Sequence, residues 1–146
     1  MLHRDTAALV VVDVQEKLHA IMPEREKLTD AITRMIRGAQ ALSLPVIWAE
    51  QYPQGMGPTI APVAELLQAQ GATPIAKKAF SLYGNPELKE RFFSFGRHQF
   101  IMLGIETHVC VYQTARDLLA ADPGNEVVVI ADAVASRTPE NRQVGL

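Results

Sequence analysis

Short β-branched runs alternate with amphipathic helical stretches along the whole chain, and that rhythm restricts it to few folds. Residues 7–12 are all apolar and end in Val10-Val11-Val12, the pattern of a strand buried on both faces. Residues 24–42 then place Leu28, Ile32, Met35, Ile36, Ala39 and Leu42 on one helical stripe. Pro45 opens a second strand over 46–49, and a loop rich in Pro and Gly follows over 51–62. A short helix over 63–70 stops before Gly71, a suitable left-handed residue for a helix end. Further strands are expected at 72–76, 100–103 and 127–131. Residues 86–93 supply one or two helical turns. Residues 107–121 read as a helix that stops before Asp122-Pro123-Gly124-Asn125. Thr138-Pro139-Glu140 is a helix start, with a capping hydroxyl, a proline at the first position and then an acid. Strands alternating with helices imply an α/β fold with three α/β/α layers. The sheet is expected to be mostly parallel, in the common order 3-2-1-4-5.

The 146 residues fit one domain, 1–146, able to bury a core without disulfide or metal. Apolar residues at 48 % and charged residues at 21 % argue against disorder and coiled coil. A net charge of −2 offers no basic field for nucleic acid or an acidic membrane. The single cysteine cannot form an intrachain disulfide, which favours a reducing compartment. Residues 7–12 are too short for a signal core or for the roughly 20 residues of a spanning helix. A cytoplasmic protein is therefore expected.

Ligands of an open parallel sheet bind beyond the carboxyl ends of its strands, at the point where strand order reverses. Asp13 ends the first strand there, Lys77 and Lys78 follow the third, and Cys110 lies in the first turn after the fourth. With Thr107 as cap, Cys110 takes the third helical position, where N–H groups and the helix dipole favour a thiolate. A free cysteine is also among the most buried residue types, so a purely structural thiol is the competing reading. Asp13 is either a turn former or a base for the thiol proton. Of the two lysines, only one can face the rim, and position does not say which. A Cys110–His108 dyad is disfavoured, because residues two apart on a helix do not face each other. His3, His19 and His98 form no metal-ligand spacing, and no P-loop, dinucleotide fingerprint or Gly-x-Ser-x-Gly elbow occurs.

Four segments together resemble the isochorismatase-like cysteine hydrolases. They are Leu9-Val10-Val11-Val12-Asp13-Val14-Gln15, Lys77-Lys78-Ala79-Phe80-Ser81, Gly104-Ile105-Glu106-Thr107-His108-Val109-Cys110-Val111 and Ala131-Asp132-Ala133-Val134-Ala135-Ser136-Arg137. Glu50-Gln51-Tyr52-Pro53 and Gly57-Pro58-Thr59 resemble the isochorismatase-domain-containing subgroup in particular. The resemblance implies a Cys-Asp-Lys triad of Cys110, Asp13 and Lys77, with Lys78 as the alternative lysine. It also implies a cis peptide between Ile105 and Glu106, and an oxyanion site made by the N–H groups of Glu106 and Cys110. Gln15, Trp48, Tyr52, Phe80 and His108 are expected to line the substrate pocket. The family's nicotinamidases carry an Asp-x-His…His metal site after the second strand. Trp48-Ala49-Glu50-Gln51-Tyr52-Pro53 holds no histidine, so no metal and no cofactor are expected. The family's further C-terminal strand and helix are not found in the sequence. These features predict a metal-independent hydrolase of a small amide or related C–N substrate, working through a covalent acyl-enzyme. The alternatives are a non-catalytic metabolite-binding domain and vinyl-ether hydrolysis of the isochorismatase type. Expected partners are a small-molecule substrate and further copies of the chain in a dimer or tetramer, with neither nucleic acid nor membrane.

Overall fold

The strand β1, Ala7–Val12, is buried at every position, and its side-chain alternation divides the interior into two cores. The computed structural model describes Met1–Leu146. Ala7, Leu9 and Val11 face α2 (Arg25–Ala41) and α4 (Ala61–Ala69), packing with Ile32, Ile36, Val63 and Leu67. Ala8, Val10 and Val12 face the opposite layer, where α5 (Pro86–Ser94) and α6 (Tyr112–Ala121) contribute Leu88, Phe92 and Leu118. The remaining strands are β2 (Val46–Gln51), β3 (Ile75–Lys77), β4 (Gln99–Ile105) and β5 (Glu126–Ala135). All pairings are parallel and the order is β3-β2-β1-β4-β5, the expected topology. The order reverses between β1 and β4, so their carboxyl ends open the crevice that an α/β sheet offers a ligand.

Several boundaries differ from the sequence expectation. β2 runs on to Gln51, and β3 shifts from 72–76 to Ile75–Lys77, which carries Lys77 into the sheet. Two single-turn helices were not expected: α3 (Pro53–Met56) lies within the stretch read as loop, and α1 (Glu16–His19) in a stretch given no element. β5 is longer than expected because it bulges: Met102 and Gly104 of β4 pair with Val129 and Val134. The Arg142 guanidinium donates to the carbonyls of Ala131 and Val134 in that bulge, supplying partners that a regular ladder would provide. Arg142 belongs to α7, Pro139–Gly145, which starts as expected with the Thr138 hydroxyl accepting from Asn141 N–H.

The largest correction concerns the segment after β4. A regular helix capped by Thr107 was expected over 107–121. Instead Thr107–Val111 forms a π-helical turn, and α6 begins only at Tyr112. Widening the first turn places Cys110 inside the molecule, 6 % exposed, rather than at an open helix terminus. No helix is long and apolar enough to cross a membrane.

Candidate active site

Asp13 follows the apolar β1 directly and takes a left-handed backbone, φ 49°, which aspartate tolerates better than a branched residue would. That turn directs its carboxylate across the end of the sheet, fully buried. Lys77 ends β3, whose alternation sends Ile75 and Lys77 inward and leaves Ala76 and Lys78 exposed. The Lys77 ammonium lies 2.8 Å from Asp13 Oδ2 and 3.6 Å from Cys110 Sγ. Three distant stretches of chain therefore meet at one point, and the choice between the lysines falls on Lys77. The ammonium also donates to Gln51 Oε1 at 2.6 Å and to the carbonyls of Phe80 at 3.0 Å and Ala79 at 3.1 Å. A buried ammonium needs such acceptors, because an unpaired one is strongly destabilising.

The electrostatics differ from the sequence expectation in one important respect. Burial pushes the Cys110 thiol up to about 12, the ionised Asp13 adds to that rise, and the Lys77 ammonium only partly opposes it. The resting sulfur is thus a neutral thiol beside a carboxylate, not a thiolate held by a helix dipole. Burial likewise raises Asp13 above its ordinary range, against the lowering effect of Lys77. Oδ1 of Asp13 is buried without a hydrogen-bond partner, which leaves a lone pair free to take a proton.

The segment between β4 and Cys110 carries a cis peptide at Ile105–Glu106. The Glu106 carboxylate accepts from Arg137 twice, from its backbone N–H and its Nε, each at 3.1 Å. His108 Nδ1 lies 2.9 Å from Ser136 Oγ.

Gln15 and Trp48, expected in the pocket wall, are enclosed in packing. Gln15 ties the loop after β2: its Nε2 donates to the carbonyls of Gln51 and Gly57 at 3.0 and 2.7 Å, and its Oε1 accepts from Gln51 N–H at 2.7 Å. The Trp48 indole N–H donates to Thr59 Oγ1 at 2.8 Å, and that hydroxyl donates on to Glu50 Oε1 at 2.7 Å. Thr59 N–H donates to the same carboxylate oxygen. Tyr52 and Phe80 are instead about half exposed, at 49 % and 54 %. Replacing Thr59 with Val would strip partners from both a buried indole N–H and a buried carboxylate. The expected loss is about 2–3 kcal/mol, read by urea denaturation of Thr59→Val against wild type.

The metal site of nicotinamidases has no counterpart here. Glu50 Oε1 is already committed to Thr59, and no cluster of three His, Cys, Asp or Glu side chains stands at ligand spacing. The residues do not fit a metal.

The isochorismatase-domain family model matches residues 7–146. The chain belongs to the isochorismatase family. Bovine isochorismatase domain-containing protein 2 is 37 % identical over 142 residues, covering 97 % of this chain. The chain spans 65 % of the length of that relative. The solved structure of MAR1 ribonuclease from Caenorhabditis elegans is 35 % identical, with TM-score 0.86, over 99 % of this chain and 72 % of that one. The YcaC gene product of Escherichia coli, an octameric hydrolase of unknown specificity, shares the fold at TM-score 0.91 and 24 % identity, over 99 % and 71 % of the two chains.

Gln51 was missed by the sequence reading as a contact of the lysine. Its signal was its place at the end of the second strand, where in-register pairing sets it directly against Lys77.

Proposed function

We propose that this isochorismatase-family chain is a metal-independent cysteine hydrolase of a small amide or related C–N substrate. The observation that carries the reading is the buried meeting of Asp13, Lys77 and Cys110, at 2.8 and 3.6 Å from the ammonium. Cys110 Sγ attacks the carbonyl carbon while Asp13 takes the thiol proton. The developing oxyanion is held by the N–H groups of Glu106 and Cys110. Asp13 returns the proton to the leaving nitrogen as the C–N bond breaks, leaving a thioester. Water, deprotonated by Asp13, then releases the carboxylic acid and restores the thiol. Lys77 favours the ionised form of Asp13 against the effect of burial and holds the carboxylate in place.

A thiol at about 12 has a thiolate fraction on the order of 10⁻⁵ at pH 7, so attack must be coupled to proton transfer. This fixes the expected pH dependence. Alkylation of Cys110 by iodoacetamide should level off to a flat plateau above the raised pKa of Asp13, where the carboxylate can take the thiol proton. Both alkylation and turnover should fall as pH drops through the raised pKa of Asp13, since its protonated form cannot accept the proton. In Asp13→Asn, log rate should instead climb with a slope of about one per pH unit, as for a lone thiol. A unit slope in the wild-type protein would contradict Asp13 as base.

RNA cleavage, the activity in the name of the nematode relative, is supported by neither the charge of −2 nor a sulfur that is 6 % exposed. Assembly into a homo-oligomer is part of the reading. The edge strand β5 is partly exposed over Val127, Val128, Val129 and Ile130, an apolar edge that a partner surface would cover.

A further inference from the structure

Three consecutive residues before Cys110 are each held by one neighbouring segment, the end of β5 and α7. Glu106 accepts from Arg137 at 3.1 Å, and His108 lies 2.9 Å from Ser136 Oγ. Between them Thr107 meets Gly145 without any side chain intervening. A Cβ at Gly145 would lie 2.6 Å from both the carbonyl carbon and oxygen of Thr107, and 2.7 Å from His108 N. Those are backbone atoms, so neither can swing aside. The Thr107 side chain gives the turn no polar anchor, because its hydroxyl is buried without a partner. The seat of α7 is in turn fixed by the Thr138 cap and by Arg142 on the carbonyls of Ala131 and Val134.

We propose that α7 is a brace on the π-helical turn, and that Gly145 is a positioning residue for Cys110, acting through Thr107. The proposal rests on the reading of Cys110 as nucleophile and Asp13 as its base. The π-helical turn departs from the regular helix that follows it, and residues 136–145 contact its backbone and flanking side chains just before Cys110. Gly145 supplies close backbone contact, while Ser136 and Arg137 fix the flanking side chains. Displacing a reacting atom by ~1 Å can cost ~10²-fold in rate, a large effect from a residue that touches no substrate.

The test uses the full chain and iodoacetamide as probe, with the Cys110 alkylation rate followed from about pH 5 to 9, across the wild-type plateau. Gly145→Ala is expected to slow alkylation about tenfold or more on that plateau and to convert the flat profile into a slope of about one. Ser136→Ala frees His108 without inserting an atom and should cause a smaller fall with the same change of slope. It decides the matter if Gly145→Ala does not fold. Gly38→Ala in α2, where an added Cβ meets nothing within 4 Å, should match wild type. Loss of packing alone would lower thermal stability but leave the slope flat. A folded Gly145→Ala with wild-type rate and slope overturns the brace, as does an unchanged Ser136→Ala where the first variant is unfolded. The wild-type slope tests Asp13 as base, while the difference between variant and wild type tests the brace, so the two ideas fail separately.

Discussion

Cys110→Ala is expected to lower kcat/KM by about 10⁴-fold or more on whichever small amide the wild-type protein hydrolyses fastest. The size follows from covalent chemistry. Without the sulfur there is no acyl-enzyme, and what remains is an oxyanion site and a carboxylate that could at best activate water. The change should cost only about 1 kcal/mol of stability, since it removes one small buried atom from a core shared with Val10, Met102 and Val111. Activity and folding are therefore separable in this variant. Turnover across a panel of amides, with thermal melting alongside, is the measurement. Retention of a tenth or more of the amide activity would remove Cys110 from the mechanism. Vinyl-ether hydrolysis is distinguished by the same variant: an isochorismate-cleaving activity that survives Cys110→Ala but disappears in Asp13→Asn would assign the chemistry to the carboxylate alone. A protein in which neither substitution alters any turnover, yet both alter metabolite binding, would be a binding domain on a hydrolase fold.

Much of this arrangement was legible in the chain, for reasons that can be traced to particular residues. The run Ala7–Val12 announces a central strand because only a strand covered on both faces tolerates six apolar residues in succession. Asp13 directly after it, and Cys110 after the next central strand, are placed together by topology alone once the order is read as 3-2-1-4-5. The lysine was not legible in this way, because β3 is short and its boundary decides which of two adjacent lysines turns inward. The state of the sulfur was not legible either. A π-helical turn and a regular helix start share the same apolar spacing, so the sequence pattern does not separate them. With the regular helix assumed, the dipole lowers the thiol; with the wider turn, burial raises it to about 12. The partners of Gln15 and Trp48 were not legible for a related reason. Both have polar atoms that suit a ligand, but the returning loop at Gly57 and Thr59 takes those atoms first.

Gly104→Ala is expected to be the most destabilising single substitution near the site, by about 4 kcal/mol or more. Gly104 pairs with Val12 where the central strands β1 and β4 end, and its φ of +123° is one that side chains rarely adopt. An added Cβ would lie 2.0 Å from the Val12 carbonyl oxygen and 2.8 Å from the Val12 carbonyl carbon and nitrogen. No rotamer relieves a clash with backbone, so the two strands must separate or Gly104 must leave its conformation. Separation opens the junction of both cores, and a Cβ placed 2.0 Å from a backbone oxygen requires both adjustments in part, so strain and overpacking, roughly 1–3 kcal/mol each, add to about 4 kcal/mol. At about 2–4 °C per kcal/mol for a chain of this size, Tm should fall by roughly 10 °C or more. The chemistry should suffer at temperatures where the variant remains folded. Val12 precedes Asp13, and Gly104 stands just ahead of Ile105 and Glu106, so one displacement moves the base and the oxyanion donors apart. Flat alkylation of Cys110 should then give way to a rising pH profile, as in Asp13→Asn. A melting temperature within about 2 °C of wild type would mean that β1 and β4 do not approach this closely, and the placement of Asp13 beside Cys110 would lose its structural basis.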